Sequence, residues 1–269
     1  MEIIMRKLGM NYGAERPDGM TDENRLARLN EYGFGAIFTG IGKPETIDAL
    51  APKVRAAGID YDFIHAPFDK INDMWKPGEA GEAMLDRLIT TVETCSKNEI
   101  PIAVIHLSSG EKAPCVNDCG IERFDRLIKR AGECDVQIAI ENQRKIGNIA
   151  VMLERYDSEK HVGFCWDNGH ERCFTPDREY MPLFGKKLIC LHLHDNRGFY
   201  NDDVHYLPFD GVIDFAHVAD QIRESGYKGS VMLETAGRGR DLYAGLTDVD
   251  FLKRAYTQAD RLRTLIDGK

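Results

Sequence analysis

The sequence predicts an α/β fold of the (β/α)8 barrel class, and three observations lead to that prediction. An apolar run, a polar loop and an amphipathic segment alternate along the whole chain with a period of about thirty residues. The apolar runs are short and nearly continuous, which is typical of parallel strands covered on both faces. Eight such units in 269 residues match the usual size of one α/β barrel. An open doubly wound sheet is the weaker alternative, because no glycine-rich phosphate loop follows the first strand.

The strands are placed on the apolar runs, and each is too short to be a helix. The eight predicted strands are 2–8, 36–39, 61–64, 102–105, 136–140, 162–166, 188–191 and 231–233.

Helices are predicted between the strands from capping residues and amphipathic periodicity. Thr21 caps the first helix, with acidic residues in its first turn, and Asp214 caps the seventh. The remaining segments are 44–58, 79–97, roughly 121–133, a short helix ending near 156, 178–184 and 248–266, while the seventh helix ends at 225–226. Eight helices therefore alternate strictly with eight strands. No linker or low-complexity segment interrupts them, so residues 1–269 are predicted to form a single domain.

Composition excludes several classes of protein. With 43% hydrophobic and 29% charged residues the chain is an ordinary globular sequence, and no apolar run is long enough for a membrane span. The N-terminus lacks the plan of a signal peptide, and the seven cysteines are interpreted as reduced thiols, which together predict a cytoplasmic protein. The net charge of −9 argues against general affinity for nucleic acid or anionic membranes.

A residue able to bind a metal directly follows each of the last six predicted strands. These residues are His65, His106, Glu141, Asp167, His192 and Glu234. In a barrel the carboxyl ends of all strands meet at one face, where active sites lie. One such residue is readily explained as a helix cap or an ion-pair partner, but six in succession are not. Carboxylates facing one axis repel unless a cation lies among them, so the pattern predicts a divalent metal ion.

Further candidates accompany these six. His194 follows His192 by two residues, so both imidazoles point to the same face of one strand. His170 lies three residues after Asp167, and Asp203 and His205 lie in the loop after strand seven. Together with His65, the residues His194, Asp203 and His205 form a reserve set for additional metal or substrate contacts.

From strand three to strand eight the chain resembles the xylose-isomerase-like TIM-barrel superfamily. The resemblance rests on the motifs HAPF, IHLSSG, AIENQ, WDNGH, HLHDN, DDVHYLPFDGVIDF and VMLET. The superfamily contains sugar phosphate isomerases and epimerases, ketose 3-epimerases, inosose dehydratases and endonuclease IV. The resemblance implies one divalent ion, manganese or zinc with magnesium and cobalt as alternatives. Its implied ligands are Glu141, Asp167, His192 and Glu234. His194 is kept in reserve, because in ketose 3-epimerases the second histidine of the pair aligns with the ligand.

The implied activity is a metal-dependent isomerisation or epimerisation of a sugar or sugar phosphate. The metal would stabilise an enediolate as a C–H proton leaves. By resemblance to the ketose 3-epimerases, Glu141 and Glu234 would remove and return the proton on opposite faces. His170 and His106 would orient substrate hydroxyls. An inosose-dehydratase-like lyase shares the first step of this reaction and stays an alternative.

The endonuclease IV relatives imply a different alternative, a trinuclear zinc phosphodiesterase. Nine residues fit its nine ligand positions, namely His65, His106, Glu141, Asp167, His170, His192, Asp203, His205 and Glu234. The acidic net charge argues against this alternative. A barrel that binds metal or sugar without turnover is a third alternative. One departure from the family is Phe209, where many relatives have glycine in a G-x-G turn, and it leaves the shape of that loop open.

Loop residues supply candidates for binding the small-molecule sugar or sugar phosphate. The basic ones are Arg144, Lys145, Arg172, Arg197, Arg238 and Arg240. A guanidinium suits a phosphate or carboxylate, and Arg197 follows the HLHDN motif directly. Asn142 in the AIENQ motif is a further candidate. Trp75 and Phe68 are candidates for an apolar wall against a sugar ring, although covering the barrel rim is the simpler role for them. The oligomeric state is left open, with a homo-oligomer as one option.

Overall fold

The computed structural model describes residues 5–13, 19–237 and 241–268. Eight parallel strands are present in the described residues, and their order in the sheet is β7-β6-β5-β4-β3-β2-β1-β8. They are β1 Leu8–Asn11, β2 Ala36–Gly40, β3 Asp60–His65, β4 Ile102–His106, β5 Gln137–Glu141, β6 Val162–Asp167, β7 Leu188–His192 and β8 Val231–Leu233. A parallel bridge between Leu193 and Leu233 joins the end of β7 to β8 and closes the strand order. This is the strand arrangement of a (β/α)8 barrel, and the predicted fold class is confirmed.

Nine α-helices connect the strands within the described ranges. They are α1 Asp22–Glu31, α2 Pro44–Ala56, α3 Glu79–Lys97, α4 Asp118–Glu133, α5 Ile146–Arg155, α6 Asn168–Phe174, α7 Met181–Phe184, α8 Phe215–Ser225 and α9 Asp248–Asp267. Predicted caps are present at Thr21, which accepts a hydrogen bond from Asn24 N, and at Asp214, which accepts from Ala216 N.

The structure corrects the predicted helices in two places. The segment after β6 contains two helices rather than one at 178–184, because the Asp167 carboxylate accepts a hydrogen bond from His170 N and starts α6 immediately. The strict alternation of eight helices is therefore wrong. Helix α4 begins at Asp118, three residues before its predicted start, because Asn117 accepts a hydrogen bond from Gly120 N and caps it.

The first strand also lies elsewhere than predicted. Residues 2–4 of the predicted strand lie outside the described residues, and 5–7 form no strand. Strand β1 instead covers Leu8–Asn11, where both neighbours supply partners. Gly9 pairs with Ala36 of β2 on one side and with Met232 of β8 on the other. The apolar character of the N-terminal residues did not show which of them form backbone hydrogen bonds with a strand on each side.

The chain divides into two compact units. The first unit comprises Met1–Phe38, Lys53–Tyr61 and Trp166–Lys269, and the second comprises Thr39–Pro52 and Asp62–Cys165. In the first unit, the buried apolar residues of β1, β8, α8 and α9 form the core, with Met10, Phe251 and Leu252 fully buried. In the second, α3 and α4 cover β4 and β5, and every residue of β4 is buried. Each such large apolar side chain contributes about 1.5–3 kcal/mol on burial. A single domain over 1–269 stays a prediction.

Among the described helices, none combines the length and the apolar character needed to cross a membrane. All seven cysteines are free thiols in the structure.

Candidate functional site

The six candidate metal-binding side chains lie at the strand ends where the apolar runs predicted them. His65, His106, Glu141, Asp167 and His192 are the last residues of β3 to β7, and Glu234 directly follows β8. Three of the six belong to each compact unit, and each unit gathers them into its own cluster.

The first-unit cluster contains three carboxylates and four imidazoles. Its members are Asp167, His170, His192, His194, Asp203, His205 and Glu234. His192 Nδ1 lies 3.3 Å from Glu234 Oε2, and His194 Nε2 lies 3.0 Å from Asp167 Oδ1. Asp203 is close to two further rings, at 3.3 Å from His170 Nε2 and 3.2 Å from His205 Nε2. The first unit thus brings together every predicted site residue that it contains from the strand ends and from the reserve set.

The residues after Asp167 position two of these histidines. Asp167 is the cap of α6, and its bond from His170 N, 2.6 Å long, places that ring on the first helical turn. Asn168 and His194 exchange two hydrogen bonds of 3.0 Å, from His194 N to Asn168 Oδ1 and from Asn168 Nδ2 to His194 O. A Cβ at Gly169 would lie 1.9 Å from the His194 ring, so only glycine fits there.

A buried carboxylate holds the loop that carries Asp203 and His205. Asp195 accepts hydrogen bonds from Gly211 N at 2.8 Å and from Ile213 N at 3.0 Å, and its backbone pairs with Tyr206. Burial raises the pKa of the Asp195 carboxyl, and these backbone donors oppose that effect. Asp195 therefore closes the loop structurally, although the sequence showed it only as a neighbour of the histidine pair.

The turn at Phe209 has the left-handed backbone conformation that glycine adopts most readily. Phe209 has a φ of 69°, in the left-handed region that disfavours a side chain. Its ring packs 4.9 Å from that of Phe215 and lies 3.8 Å beneath the Arg261 guanidinium. These two contacts of the Phe209 ring help to offset the backbone strain. The structure thereby defines the loop shape that phenylalanine in place of glycine had left open.

Hydrogen bonds within the first-unit cluster shift the pKa values of Asp203 and His205. Burial opposes charge on Asp203, but hydrogen bonds from His170 and His205 hold the pKa of its carboxyl well below the usual range. Burial likewise lowers the pKa of His205, yet the hydrogen bond to Asp203 and the charge of Glu234 raise it to about 9. The carboxylates therefore demand positive charge, which a proton on His205 supplies in part.

Donor atoms converge in several places within the first unit. Single ligand atoms of Asp167, His192 and Glu234 lie within 4.8 Å of one another. The same holds for His170 with Asp203 and His205, and for His194 with His205 and Glu234. Carboxylate oxygens and imidazole nitrogens are the ligands of manganese, zinc and related divalent ions. The donor set therefore fits the metal that the sequence predicts.

The second-unit cluster is smaller and consists of His65, His106 and Glu141. The register of β4 and β5 pairs His106 with Glu141. Glu141 Oε2 lies 3.0 Å from Nε2 of each histidine, and the two Nε2 atoms are 3.2 Å apart. His65 Nδ1 donates to Ala66 O at 2.7 Å, so Nε2 is the ring nitrogen that faces Glu141 Oε2 and His106 Nε2. A proton or a cation is needed among these three atoms.

Aromatic rings border both clusters. Phe68 is 49% exposed and stacks on His106 with ring centroids 4.7 Å apart. In the first unit, Phe174 stacks on His170 at 4.8 Å. Trp75, by contrast, is 3% exposed, packs against Phe124 and donates from Nε1 to Leu107 O. Its contacts correspond to the simpler role of covering the barrel rim.

The remaining predicted substrate contacts lie in different environments. Asn142 is fully buried, and its backbone N donates to Cys165 O at 3.4 Å. Arg197 is paired with Asp202, its Nε donating to the carboxylate at 2.6 Å. Arg238 and Arg240 lie outside the described residues.

Several residues that shape the site carried weak sequence signals. Asn168 and Gly169 lie inside the WDNGH motif, but nothing in the motif shows that they fix His194. Glu171 accepts hydrogen bonds from Trp166 Nε1 at 2.9 Å and Tyr180 N at 3.0 Å, and burial raises the pKa of its carboxyl to about 7. In the sequence, Glu171 was visible only as an acidic residue next to His170, and nothing indicated that it joins α6 to Trp166 and Tyr180.

Comparisons with known proteins identify the family. The family model described as xylose isomerase-like TIM barrel matches residues 26–255. An uncharacterised protein of Sinorhizobium fredii, y4fM, is 32% identical over 150 residues, which are 53% of this chain and 46% of that protein. A probable endonuclease 4 of Campylobacter concisus is 27% identical over 154 residues, 53% of this chain and 54% of the relative. The chain thus spans about half the length of these relatives.

Two sugar epimerases are among the solved structures of similar fold. The 3-keto-D-glucoside 4-epimerase YcjR from E. coli has a TM-score of 0.73 at 16% identity, covering 96% of this chain and 99% of that one. A D-psicose 3-epimerase from Clostridium cellulolyticum, solved with D-tagatose, has a TM-score of 0.76 at 15% identity, covering 97% and 99%. At these identities the likeness establishes the fold alone.

Proposed function

Because the chain belongs to the xylose isomerase-like TIM-barrel family, we propose that it is a divalent metal-dependent isomerase or epimerase of sugars. The observation that carries the proposal is the convergence of Asp167, His192 and Glu234, whose ligand atoms lie within 4.8 Å of one another. The buried carboxylate of Asp167 and the partly buried one of Glu234 repel each other at such separations unless a cation offsets their charge.

Glu141 completes the proposed ligand set of Glu141, Asp167, His192 and Glu234. Glu141 pairs in register with Cys165, two residues before Asp167 on the same strand β6. Manganese or zinc suits these nitrogen and oxygen donors, with magnesium and cobalt as alternatives. When bound, the ion supplies an electrophile that lowers the pKa of the sugar C–H beside the carbonyl.

The two glutamates carry the proton transfers in this proposal. One takes the proton from the carbon beside the carbonyl, and the other returns a proton to the opposite face of the resulting enediolate. His106, in contact with Glu141, and His170, in contact with Asp203, orient substrate hydroxyls. Phe68, exposed beside His106, provides an apolar wall for the sugar.

The names of two structural neighbours, a 3-keto-D-glucoside 4-epimerase and a D-psicose 3-epimerase, support a sugar as the substrate class. We propose a small sugar or sugar phosphate, with Arg197 and Asn142 as further contacts. A lyase of the inosose dehydratase type would begin with the same proton abstraction and differs only in losing water afterwards. A cytoplasmic location and a homo-oligomer stay predictions.

Deuterium exchange tests the proposal directly. Metal-loaded protein is incubated in heavy water with a panel of polyols, ketoses, ketoglucosides and ketose phosphates. We expect deuterium at the carbon beside the carbonyl of the substrate. Loss of water from the deuterated sugar would identify the lyase. Absence of exchange with the whole panel would contradict the isomerase and the lyase alike.

A second candidate is the trinuclear zinc phosphodiesterase, and the second-unit cluster favours it. His65 Nε2, His106 Nε2 and Glu141 Oε2 converge within 3.2 Å, as donors to a further ion would. The relative from Campylobacter concisus is named a probable endonuclease 4. The net charge of −9 opposes binding to a phosphate backbone.

Metal counting and an incision assay separate the two candidates. We expect about one tightly bound ion per chain and no metal-dependent incision of duplex DNA at an abasic site. Three ions per chain with efficient incision would reverse the ranking.

A further inference from the structure

Two adjacent aromatic rings project into solvent from the loop after β7. Phe199 is 67% exposed and Tyr200 is 61% exposed. Single apolar side chains at a surface need no explanation, but two large neighbouring rings in a well-defined turn are characteristic of a recognition site.

The turn that carries these rings is stabilised by a backbone hydrogen bond and by an ion pair at its end. Asp202 N donates to Phe199 O at 3.2 Å, which closes a four-residue turn. Asn201 adopts the left-handed conformation, with a φ of 60°, as this turn requires. Arg197 donates a hydrogen bond to the Asp202 carboxylate at the end of the turn. The backbone that carries the two rings is therefore ordered before any ligand arrives, which lowers the entropy cost of binding.

The turn is anchored beside the first-unit cluster. Asn201 N donates to Cys173 O at 3.0 Å, and the next residue, Phe174, stacks on His170 at 4.8 Å. On the other side of the loop, the exposed Val212 approaches Gly198, where an added Cβ would lie 2.8 Å from Val212 Cγ2. The turn is therefore bonded to the residue that precedes Phe174, whose ring stacks on His170.

We propose that the turn at 199–202 is a subsite for a second ring of the substrate, a sugar or aryl group joined by a glycosidic bond to the reacting sugar. The inference rests on the proposed function and narrows its substrate class to glycosides. An aromatic face packs against the C–H face of a pyranose or against an aryl ring, and the Tyr200 hydroxyl can bond a ring hydroxyl. Two exposed rings are far fewer than the roughly 20–30 residues a side that a stable protein interface involves.

Ligand binding tests the subsite without requiring turnover. Calorimetry and saturation-transfer NMR compare glucose and galactose with cellobiose, lactose and the phenyl β-glycosides of both sugars. We expect the two-ring ligands to bind the native protein about tenfold more tightly than the one-ring sugars, as two ring contacts provide. The double variant Phe199→Ser, Tyr200→Ser should lose that advantage, while its affinity for the monosaccharides changes less than twofold.

The control is Leu183→Ser, which removes a side chain that is 64% exposed on α7. It should bind every ligand like the native protein. Phe199→Leu keeps apolar bulk without a ring and should lose part of the advantage, which provides a folded comparison if the double variant is unstable. Equal affinity for one-ring and two-ring ligands in the native protein would overturn the subsite. So would a double variant that dissociates a dimer and leaves ligand affinities unchanged, because the rings would then form an interface between copies.

The deuterium exchange assay keeps this inference distinct from the function on which it rests. Two-ring selectivity without any exchange would leave the subsite in place and remove the isomerase. Exchange on monosaccharides with no selectivity for a second ring would retain the isomerase and remove the subsite.

Discussion

The two clusters differ in how their buried charge is balanced. In the second unit, the single carboxylate of Glu141 faces two imidazoles at 3.0 Å, so one proton on a histidine neutralises the group. In the first unit, Asp167, Asp203 and Glu234 lie among four histidines, and balance would require several of these rings to be protonated together. A single proton is enough to balance the charge of the second-unit cluster, whereas a divalent cation balances the three carboxylates of the first-unit cluster. We therefore expect metal affinity to depend mainly on the first unit, while the second unit is suited to proton transfer.

The largest effects are expected from the glutamates, one in each unit. Glu141→Gln and Glu234→Gln should each lower turnover by about 10²–10⁴-fold, since general acid–base catalysis contributes that much. Both variants should keep native circular dichroism, because glutamine is nearly isosteric. If the comparison holds, Glu234→Gln also weakens metal binding more than Glu141→Gln does. Metal titration of the two variants measures the difference, and the reverse order would contradict it.

The exchange assay assigns the glutamates to their faces. A variant that still exchanges deuterium while net conversion stops has kept the residue that removes the proton. Equal loss of exchange in both variants would mean that neither glutamate acts alone as the base.

Metal release should follow substitution of the first-unit ligands. Asp167→Ala and His192→Ala should lose most of the metal, and with it a stabilisation of about 3 kcal/mol at a hundredfold excess of ion over the dissociation constant. For a chain of this size that corresponds to a fall on the order of 5–10 °C in the melting temperature. Adding chelator should lower the melting temperature of the native protein and leave the variants unchanged.

A matched control for metal release is Glu179→Ala, which removes an exposed carboxylate paired with His217 in the same unit. It should bind metal like the native protein. Full metal retention in both the Asp167 and His192 variants would falsify the ligand assignment.

A smaller effect concerns a first-unit carboxylate with neutral hydrogen-bond donors. Glu171 is bonded to Trp166 and Tyr180, and burial raises its pKa from 4.5 to about 7. The folded state therefore holds a proton that the unfolded state releases, so the free energy of unfolding falls as pH rises from about 4.5 to 7. Glu171→Gln should remove this loss and be more stable than the native protein by about 1–3 kcal/mol at pH 8.

Urea unfolding at pH 5 and pH 8 measures this difference, with Glu224→Gln, an exposed carboxylate in the same unit, as the control. A difference between native protein and Glu171→Gln that does not grow with pH would show that the neutral donors stabilise the charged form of Glu171. The first unit would then tolerate a buried carboxylate without histidines or a cation. That result would contradict the conclusion that its carboxylates need a cation for charge balance.

The smallest effect is expected at Arg197. Its exposed ion pair with Asp202 should contribute less than about 1 kcal/mol, so Arg197→Ala should barely change urea unfolding. Arg155→Ala is the matched control, because it removes an exposed bidentate pair with Asp125 in the second unit. If Arg197 also binds substrate, the KM for a ketose phosphate rises in its variant alone while the KM for the free ketose is unchanged.

The barrel and the positions of the six strand-end candidates could be predicted from the sequence alone. Period and apolar character place β3 to β8 within a residue or two, because buried parallel strands need continuous apolar runs wherever they pack. The six candidate ligands could be located because each lies directly at the end of such a run. The first strand could not be placed, since β1 is fixed by the bonds that β2 and β8 offer to Leu8–Asn11.

The positions of the loop residues at the site could be seen only in the tertiary structure, because partners distant in the sequence fix them. Asp195 clamps its loop through backbone donors sixteen and eighteen residues later, and Asn168 fixes His194 from twenty-six residues away. Local sequence patterns do not report such distances. The same holds for Trp75, whose ring is buried because Gly120 leaves room for it, whereas Phe68 stays exposed beside His106. Apolar character fixes what a strand buries, but in a loop the neighbours brought in by the fold determine which side chain is covered and which meets a ligand.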